Sequence, residues 1–458
     1  MTSGSLARSA APLADPSYRR ALSDGLVLRW STQKDVEGLA RLCADAFRDA
    51  EDDPPNRWFG HWIHDLMSGR HPLATPGDFA LVEDTRTGEI VAGAVLMRQT
   101  WEYDGIAFPV GRPEAVATAV AYRNRGLIRA IFELLHARCD ARGDLAVGIT
   151  GIYHYYRQFG YEYALDLGGS RRIALDAIPT LPVGQAEPYA LRAATLDDLP
   201  QVMALYNRDR ARAHVSTVMD EPTWRWIFSG MHPESDENWN TQVILDERQR
   251  VLGYVLAGRA RYGSMFGIRG LTVEPGVPLT AVLPSVLRGL AAQAPHVPAP
   301  HPRTQSASVI GLGLGRAHPA YDALPTTVPV VMLPPYAWYV RVANLPALLT
   351  HIAPALERRL VGTAVEGYTG EVKLSFYRGG LRLVFEAGRL VTAEDWTTGT
   401  WDAGHAGFPP LVFLRLVFGY QSLEQLRAAN PDVWVNDAVR PLLEALFPAR
   451  LSWVLPLD

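Results

Sequence analysis

Three arginines, Arg123, Arg125 and Arg129, crowd around one glycine in the stretch Tyr122-Arg123-Asn124-Arg125-Gly126-Leu127-Ile128-Arg129. The residues from Val110 up to this stretch follow a strand pattern, and those after it place Ile128, Ile131, Phe132, Leu135 and Cys139 on one helical face. A strand that enters a helix through such a turn exposes the helix's first N–H groups, and these donors, with the helix dipole, favour an anion. The arginines add charge, and Gly126 lets a ligand come close to the main chain. This suits a diphosphate; the same residues also suit a basic surface turn with no ligand. Downstream, Tyr153, Tyr155, Tyr156 and Tyr161 gather in an aromatic turn, and a phenol can donate a proton to a leaving group. Glu114, on the strand before the basic turn, offers a carboxylate for the opposite task.

The elements that must hold these groups are legible in outline. The chain from Met1 to Gly25 reads as a loose arm, and a strand begins at Leu26. Thr32 caps a helix that turns Leu39, Leu42, Cys43 and Phe47 inward. Phe79–Val82 and Ile90–Met97 form a hairpin about Thr87-Gly88. Gly143 ends the helix after the basic turn, and a short strand, Leu145–Ile149, leads to the aromatic turn. His61 and His64 lie close on one helix, but without a matching carboxylate they carry no metal site.

A second copy of this pattern starts near Tyr189. Leu191-Arg192, Thr195 and Asp198 repeat Leu28-Arg29, Thr32 and Asp35 at a constant offset of 163 positions. Gly253-Tyr254-Val255-Leu256 echoes Gly93-Ala94-Val95-Leu96. Repetition at this distance means a duplicated domain, with a Pro-containing linker over 178–188. The second copy reads Thr272-Val273-Glu274-Pro275-Gly276-Val277-Pro278 where the arginine turn should fall, a poor phosphate cradle. Gly311-Leu312-Gly313-Leu314-Gly315 stands where the first copy has its aromatic turn and reads as the end of a strand.

A third section starts near Ala337. It opens on a strand, Trp338–Val342, and a helix over 345–360 broken at Pro354. A three-stranded meander over 371–395 follows, turning at Gly379-Gly380 and Ala387-Gly388, and then helices over 409–418, 422–429 and 437–447. Ser422 and Gln425 form a capping box.

Composition bounds the rest. The 458 residues exceed one ordinary domain. A net charge of −4 without long charge runs argues against nucleic acid as a partner. No apolar run is long enough to span a membrane, and the first 25 residues lack the apolar core of a signal peptide. The expected location is the cytoplasm. Cys43 and Cys139 both fall on apolar helix faces and read as small buried hydrophobes.

The arginine turn resembles motif A of the GNAT acyl-coenzyme A transferases, Arg/Gln-x-x-Gly-x-Gly/Ala, with Arg123, Gly126 and Ile128 in the pattern positions. Ile128 replaces the last small residue, a departure shared by the Eis-like (enhanced intracellular survival) acetyltransferases. Tyr156-Arg157-Gln158-Phe159-Gly160-Tyr161 resembles their Tyr-x-x-Phe-Gly-Tyr signature. The third section resembles their sterol-carrier-protein-2-like C-terminal domain.

The resemblance implies a mixed α+β and α/β fold: two tandem GNAT-like domains, each a central mixed sheet flanked by helices, then a smaller α/β domain. It implies an arm over 1–25, a GNAT domain with the acetyl-coenzyme A site over 26–177, a degenerate GNAT-like domain over 189–335, and the C-terminal domain over 337–458. The implied activity is transfer of acetyl from acetyl-coenzyme A to the amine of a small molecule or lysine by direct attack in a ternary complex, with no metal. The implied cofactor contacts are Val116, Ala117, Thr118, Arg123, Arg125, Gly126, Leu127, Ile128 and Arg129, and the implied acid is Tyr156. Two bases remain open: the terminal carboxylate residue Asp458, carried by the apolar tail 451–457, and Glu114. Trp58, Phe59, Trp62, Trp101 and Tyr103 are candidates for lining an acceptor pocket. Relatives of this kind form homo-oligomers. The rival reading is a non-catalytic acyl-coenzyme A or lipid sensor derived from such an enzyme.

Overall fold

The computed structural model describes residues 12–300, 305–400 and 403–456. It is a mixed α/β structure built on three sheets. The first sheet runs, edge to edge, through Arg19–Ala21, Leu26–Trp30, Phe79–Asp84, Glu89–Tyr103, Ile106–Thr118, Ala146–Ile149, Tyr336–Arg341 and Glu162–Leu167. Val215–Val218 adds a ninth strand on the outer half of Glu89–Tyr103. The second sheet runs through Val330–Leu333, Ser170–Ala174, Val309–Leu312, Met265–Val273, Val251–Gly258, Trp239–Leu245 and Ala190–Ala193. The third holds the expected meander, Gly370–Ser375, Gly380–Glu386 and Arg389–Trp396, with two short strands beside it.

The two large sheets share one plan, and each completes it with a strand from the other's stretch of chain. Ser170–Ala174 continues the first copy in sequence, yet it sits between Val309–Leu312 and Val330–Leu333 of the second sheet. Tyr336–Arg341 follows the second copy, yet it sits between Ala146–Ile149 and Glu162–Leu167 of the first. The sequence reading assigned Trp338–Val342 to the third section. It is instead a strand of the first sheet, buried from Ala337 to Val340, with Trp338 against Trp101 at 5.5 Å between ring centroids. The third section is not a separate bead either, since Leu348, Leu356, Leu374, Leu383 and Phe413 share one apolar core with Trp101, Phe108 and Trp338.

The duplication is exact down to its hydrogen bonds at the start of each copy. Thr32 and Asp35 form a reciprocal capping box, as do Thr195 and Asp198. The Arg29 guanidinium donates to both oxygens of Asp35 at 2.6 and 2.9 Å, and Arg192 donates to both oxygens of Asp198 at 2.9 Å. The helix after the first box, Val36–Ala46, buries Leu39, Leu42 and Cys43 as expected. Phe47 differs: it lies just past the helix end, 36% exposed, and stacks on Phe59 at 3.9 Å. The broken helix appears as Leu345–His351 and Ala353–Leu360, with Pro354 in the first turn of the second piece, where it is tolerated. The 409–418 helix is shorter than expected, Phe413–Val417. Cys43 and Cys139 are buried free thiols. Among the described residues no helix is long and apolar enough to cross a membrane.

The two capping boxes make a paired test. In the first copy both partners are nearly enclosed, whereas the Arg192 side chain is 41% exposed. Asp35→Ala strips a cap and leaves Arg29 beside Glu83 alone, and is expected to destabilise by about 3 kcal/mol. Asp198→Ala, with its arginine open to water, is expected to lose only the cap, about 1 kcal/mol. Thermal and urea denaturation of the two variants read the difference.

Candidate active site

The site is organised by a parting of two parallel strands. Ile106–Thr118 and Ala146–Ile149 pair only at Val110–Ala146 and Gly111–Val147, and beyond that point the longer strand runs on alone along that edge. Two glycines permit the close pairing. A Cβ on Gly111 would meet Cys139 Sγ at 2.4 Å, and one on Gly148 would meet the Trp101 ring at 2.5 Å. Past the pairing the longer strand carries a bulge: Glu114 faces Val95 and Ala117 faces Gly93, so Ala115 and Val116 together oppose Ala94. Ala115 adopts φ +50°, a left-handed conformation costly for a non-glycine residue. Through the bulge Glu114, Val116 and Thr118 are half-buried while Ala115 and Ala117 are buried. The bulge leaves main-chain groups of this segment facing the gap between the strands, where an extended ligand with amide groups can pair.

The strand ends at Thr118 and the helix Leu127–Arg142 begins at the arginine turn. Asn124 and Gly126 both have left-handed φ, +62° and +74°, an arrangement that turns successive N–H groups toward one side. Gly126 precedes the first helical residue and has no side chain to cap it, so the N–H groups of Leu127, Ile128 and Arg129 have no intrahelical acceptor. A Cβ on Gly126 would meet nothing within 4 Å, so the glycine serves the turn's conformation and leaves open space before the helix. Arg123, Arg125 and Arg129 are exposed. Arg125 lies over the Tyr122 ring at 5.1 Å, and Arg129 donates to Gln158 at 3.0 Å, tying the helix's first turn to the aromatic turn. Leu127 is buried beneath the helix, Ile128 is half-buried, and the Thr118 hydroxyl is buried with no hydrogen-bond partner among the described residues. These features fit a chain of amides ending in a diphosphate.

Tyr156 sits at the head of the gap in the short helical turn Tyr155–Phe159, 3% exposed. Its ring packs against Phe132 and Tyr339, at 5.7 and 5.5 Å. Burial first, and then the negative charge of Glu114, push its phenol far above the usual range, so it holds its proton at neutral pH. Glu114 is half-buried and ion-paired with Arg112, which is itself 1% exposed and lies over the Trp338 ring at 4.6 Å. The charge of Glu114 thus reaches the Tyr156 phenol, and the Arg129–Gln158 hydrogen bond ties the arginine turn's helix to the turn that holds Tyr156.

Asp458 lies outside the described residues. The tail leading to it docks as expected: Trp453 N–H donates to Val215 O at 2.7 Å, and the Thr217 hydroxyl donates to Leu455 O at 3.1 Å. Pro456 lines a cavity that also touches Thr150, just beyond the parted strand. Trp101 and Tyr103, candidates for an acceptor pocket, are instead fully buried; Tyr103 donates to Val417 O at 2.7 Å. Trp58, Phe59 and Trp62 are also buried, on the helix Arg57–Leu66. The sequence reading missed Tyr336 and Tyr339, whose hydroxyls meet that of Tyr163 at 2.9 and 2.7 Å beside the aromatic turn. They arrive on the exchanged strand, 180 or so positions downstream of the aromatic turn, and no local pattern announces them.

The Arg112–Glu114 pair gives a stability test separable from chemistry. Glu114→Gln takes a carboxylate from beside the buried Arg112 guanidinium and is expected to destabilise by about 1–3 kcal/mol. Glu114→Gln combined with Arg112→Met is expected to recover most of that loss in thermal denaturation.

Residues 28–164, the segment that holds this gap, match the acetyltransferase (GNAT) domain family. No curated protein matches the chain. Solved structures match over nearly its whole length. A probable N-acyltransferase from Enterococcus faecalis is 13% identical, with 94% of this chain and 99% of that one covered and a TM-score of 0.64. A GCN5-related N-acetyltransferase from Kribbella flavida is 19% identical, with 96% and 99% covered and a TM-score of 0.61. Eis1 from Mycobacterium abscessus is 15% identical, with 92% and 97% covered and a TM-score of 0.57. At these identities the likeness is one of fold. Residues 28–164 are thus similar to the GNAT acetyltransferase domain family, and the fold of the whole chain is similar to that of GNAT proteins.

Proposed function

We propose that the chain is an N-acetyltransferase that moves an acetyl group from acetyl-coenzyme A to an amine, with both substrates bound together in the first sheet's gap. The observation that carries this reading is the parting of Ile106–Thr118 from Ala146–Ile149, at a bulge, one turn before an arginine-rich helix start. The exposed edge at Val116, Ala117 and Thr118 would hold the pantetheine amides, and the N–H groups of Gly126 to Arg129 with Arg123 and Arg125 would hold the diphosphate. Acetyl-coenzyme A supplies the activated acyl group.

An alkylammonium acceptor, with a pKa near ~10.4, cannot attack until it loses a proton. Glu114 and Asp458, which follows the docked tail in sequence, are the two bases within this reading. Tyr156 is the acid: its proton is firmly held at neutral pH and is available to the departing thiolate. Domains bounded in sequence at 26–177, 189–335 and 337–458, with the strands Ser170–Ala174 and Tyr336–Arg341 exchanged between sheets, a sterol-carrier-protein-2-like C-terminal section and a homo-oligomeric assembly belong to the same proposal. They rest on the Eis-like signature at Tyr156 to Tyr161 and on the match in fold to Eis1.

Calorimetry tests the binding half. Coenzyme A is expected to bind once per chain, and Arg123→Glu with Arg125→Glu is expected to weaken it at least tenfold, roughly 1.4 kcal/mol. Absence of heat on titration would overturn the reading. Thiol release with a panel of amines tests the chemistry: Tyr156→Phe is expected to lower kcat by about 10²-fold or more with coenzyme A affinity unchanged. Because the Tyr156 phenol is shifted upward, the wild-type pH–rate profile is expected to rise with loss of the base's proton and to show no fall attributable to Tyr156 below about pH 10.

A further inference from the structure

A cavity of about 470 Å³ opens in the second sheet at the place that corresponds to the first sheet's gap. It lies where Met265–Val273 ends, beside the turn into the helix Leu279–Gln293 and the chain leaving Val309–Leu312, and the tail closes it through Leu451 and Trp453. The equivalent turn cannot serve a diphosphate. Pro275 and Pro278 have no N–H to offer, the Val277 N–H is taken by Glu274 O at 3.1 Å, and the Glu274 carboxylate adds a negative charge.

What the cavity offers instead is apolar wall and, among the described residues, one cation that makes no side-chain hydrogen bond. Leu271, Val273, Val277, Leu279 and Leu314 line it. Of its charged residues, Asp209 accepts from the Thr272 hydroxyl at 2.8 Å and from Arg208 at 3.3 Å, and Arg208 also donates to Val273 O at 2.6 Å. Arg316 is held by both oxygens of Asp166 at 2.6 and 2.7 Å. His318 is kept neutral at pH 7, since burial lowers its pKa. Arg212 is held most loosely: it pairs with Asp209 at 3.8 Å without a hydrogen bond, and its side chain is 70% exposed. A cavity of this volume with apolar walls and a few polar groups is the usual form of a small-molecule site.

We propose that this cavity binds an aliphatic monocarboxylate, with its hydrocarbon chain among Leu271, Val273, Leu279 and Leu314 and its carboxylate at Arg212. The hydrocarbon leaves water for an apolar wall, and the anion meets a guanidinium that can accept it while remaining partly solvated, so neither group is stranded. The proposal is independent of what the first sheet's gap does.

The test is titration of sodium octanoate into the full-length protein in the presence of excess coenzyme A, read by calorimetry. Saturable binding at one site per chain is expected, with octan-1-ol at least about tenfold weaker, roughly 1.4 kcal/mol. Arg212→Glu is expected to weaken octanoate by a similar factor and Arg212→Lys to retain it. Ala317→Trp, at an exposed position on the cavity's lining, is expected to abolish binding by filling the space. Both positions are exposed, so the melting temperatures of the variants should match the wild type. No saturable binding, equal binding of octan-1-ol, or binding untouched by both Arg212→Glu and Ala317→Trp would overturn the proposal.

Discussion

The structure depends on one constraint: two parallel strands must pair for a single step and then separate. The pairing at Val110–Ala146 and Gly111–Val147 holds the sheet together, and the glycines at 111 and 148 let Cys139 and Trp101 pack tightly against it. Separation then depends on a second partner for Ala146–Ile149, because a strand left unpaired on both sides would strand its backbone groups. Tyr336–Arg341 supplies that partner through Ile149, Gly148 and Val147. The bulge at Ala115 turns the longer strand aside, and the arginine turn sits where that strand arrives. The gap is thus made by the sheet, while the loops only furnish it.

The C-terminal stretch is bound into this arrangement by charge as well as by apolar packing. Asp104, at the turn between Glu89–Tyr103 and Ile106–Thr118, accepts from His214 at 3.2 Å, from Arg359 and from Arg450 at 2.6 Å. Burial works against the Asp104 carboxylate, but the His214 and Arg359 hydrogen bonds outweigh it and hold its pKa well below the usual range. One carboxylate thereby links the first sheet, the Ala353–Leu360 helix and the residue just before the docked tail. Where the tail runs, along Ser216 and Thr217, follows from that anchor.

What could be read from the chain alone was whatever rests on short-range chemistry. The two Arg–Thr–Asp starts, the glycine after Arg142, the left-handed Ala387-Gly388 turn and the arginine turn each announce themselves within a few residues. Tyr156 and Glu114 stood out for the same reason. The exchange of Ser170–Ala174 with Tyr336–Arg341 was hidden, because an apolar strand pattern says that a strand is buried and not which sheet buries it. The errors follow from that. Trp101 and Tyr103 read as pocket aromatics because the strand and helices that cover them come from beyond residue 335, and Phe47 read as core because its helix ends one residue earlier than its periodicity.

The exchanged strands also govern the order in which the chain can be completed on the ribosome. When residues up to 300 have emerged, the first sheet still lacks its strand between Ala146–Ile149 and Glu162–Leu167, and Ser170–Ala174 has neither neighbour. Both halves therefore wait for the segment 309–341, so the nascent polypeptide must carry two unfinished edges from about residue 174 until residue 341. Truncating the gene at the apparent seam between the repeats would not yield two smaller proteins but two open ones.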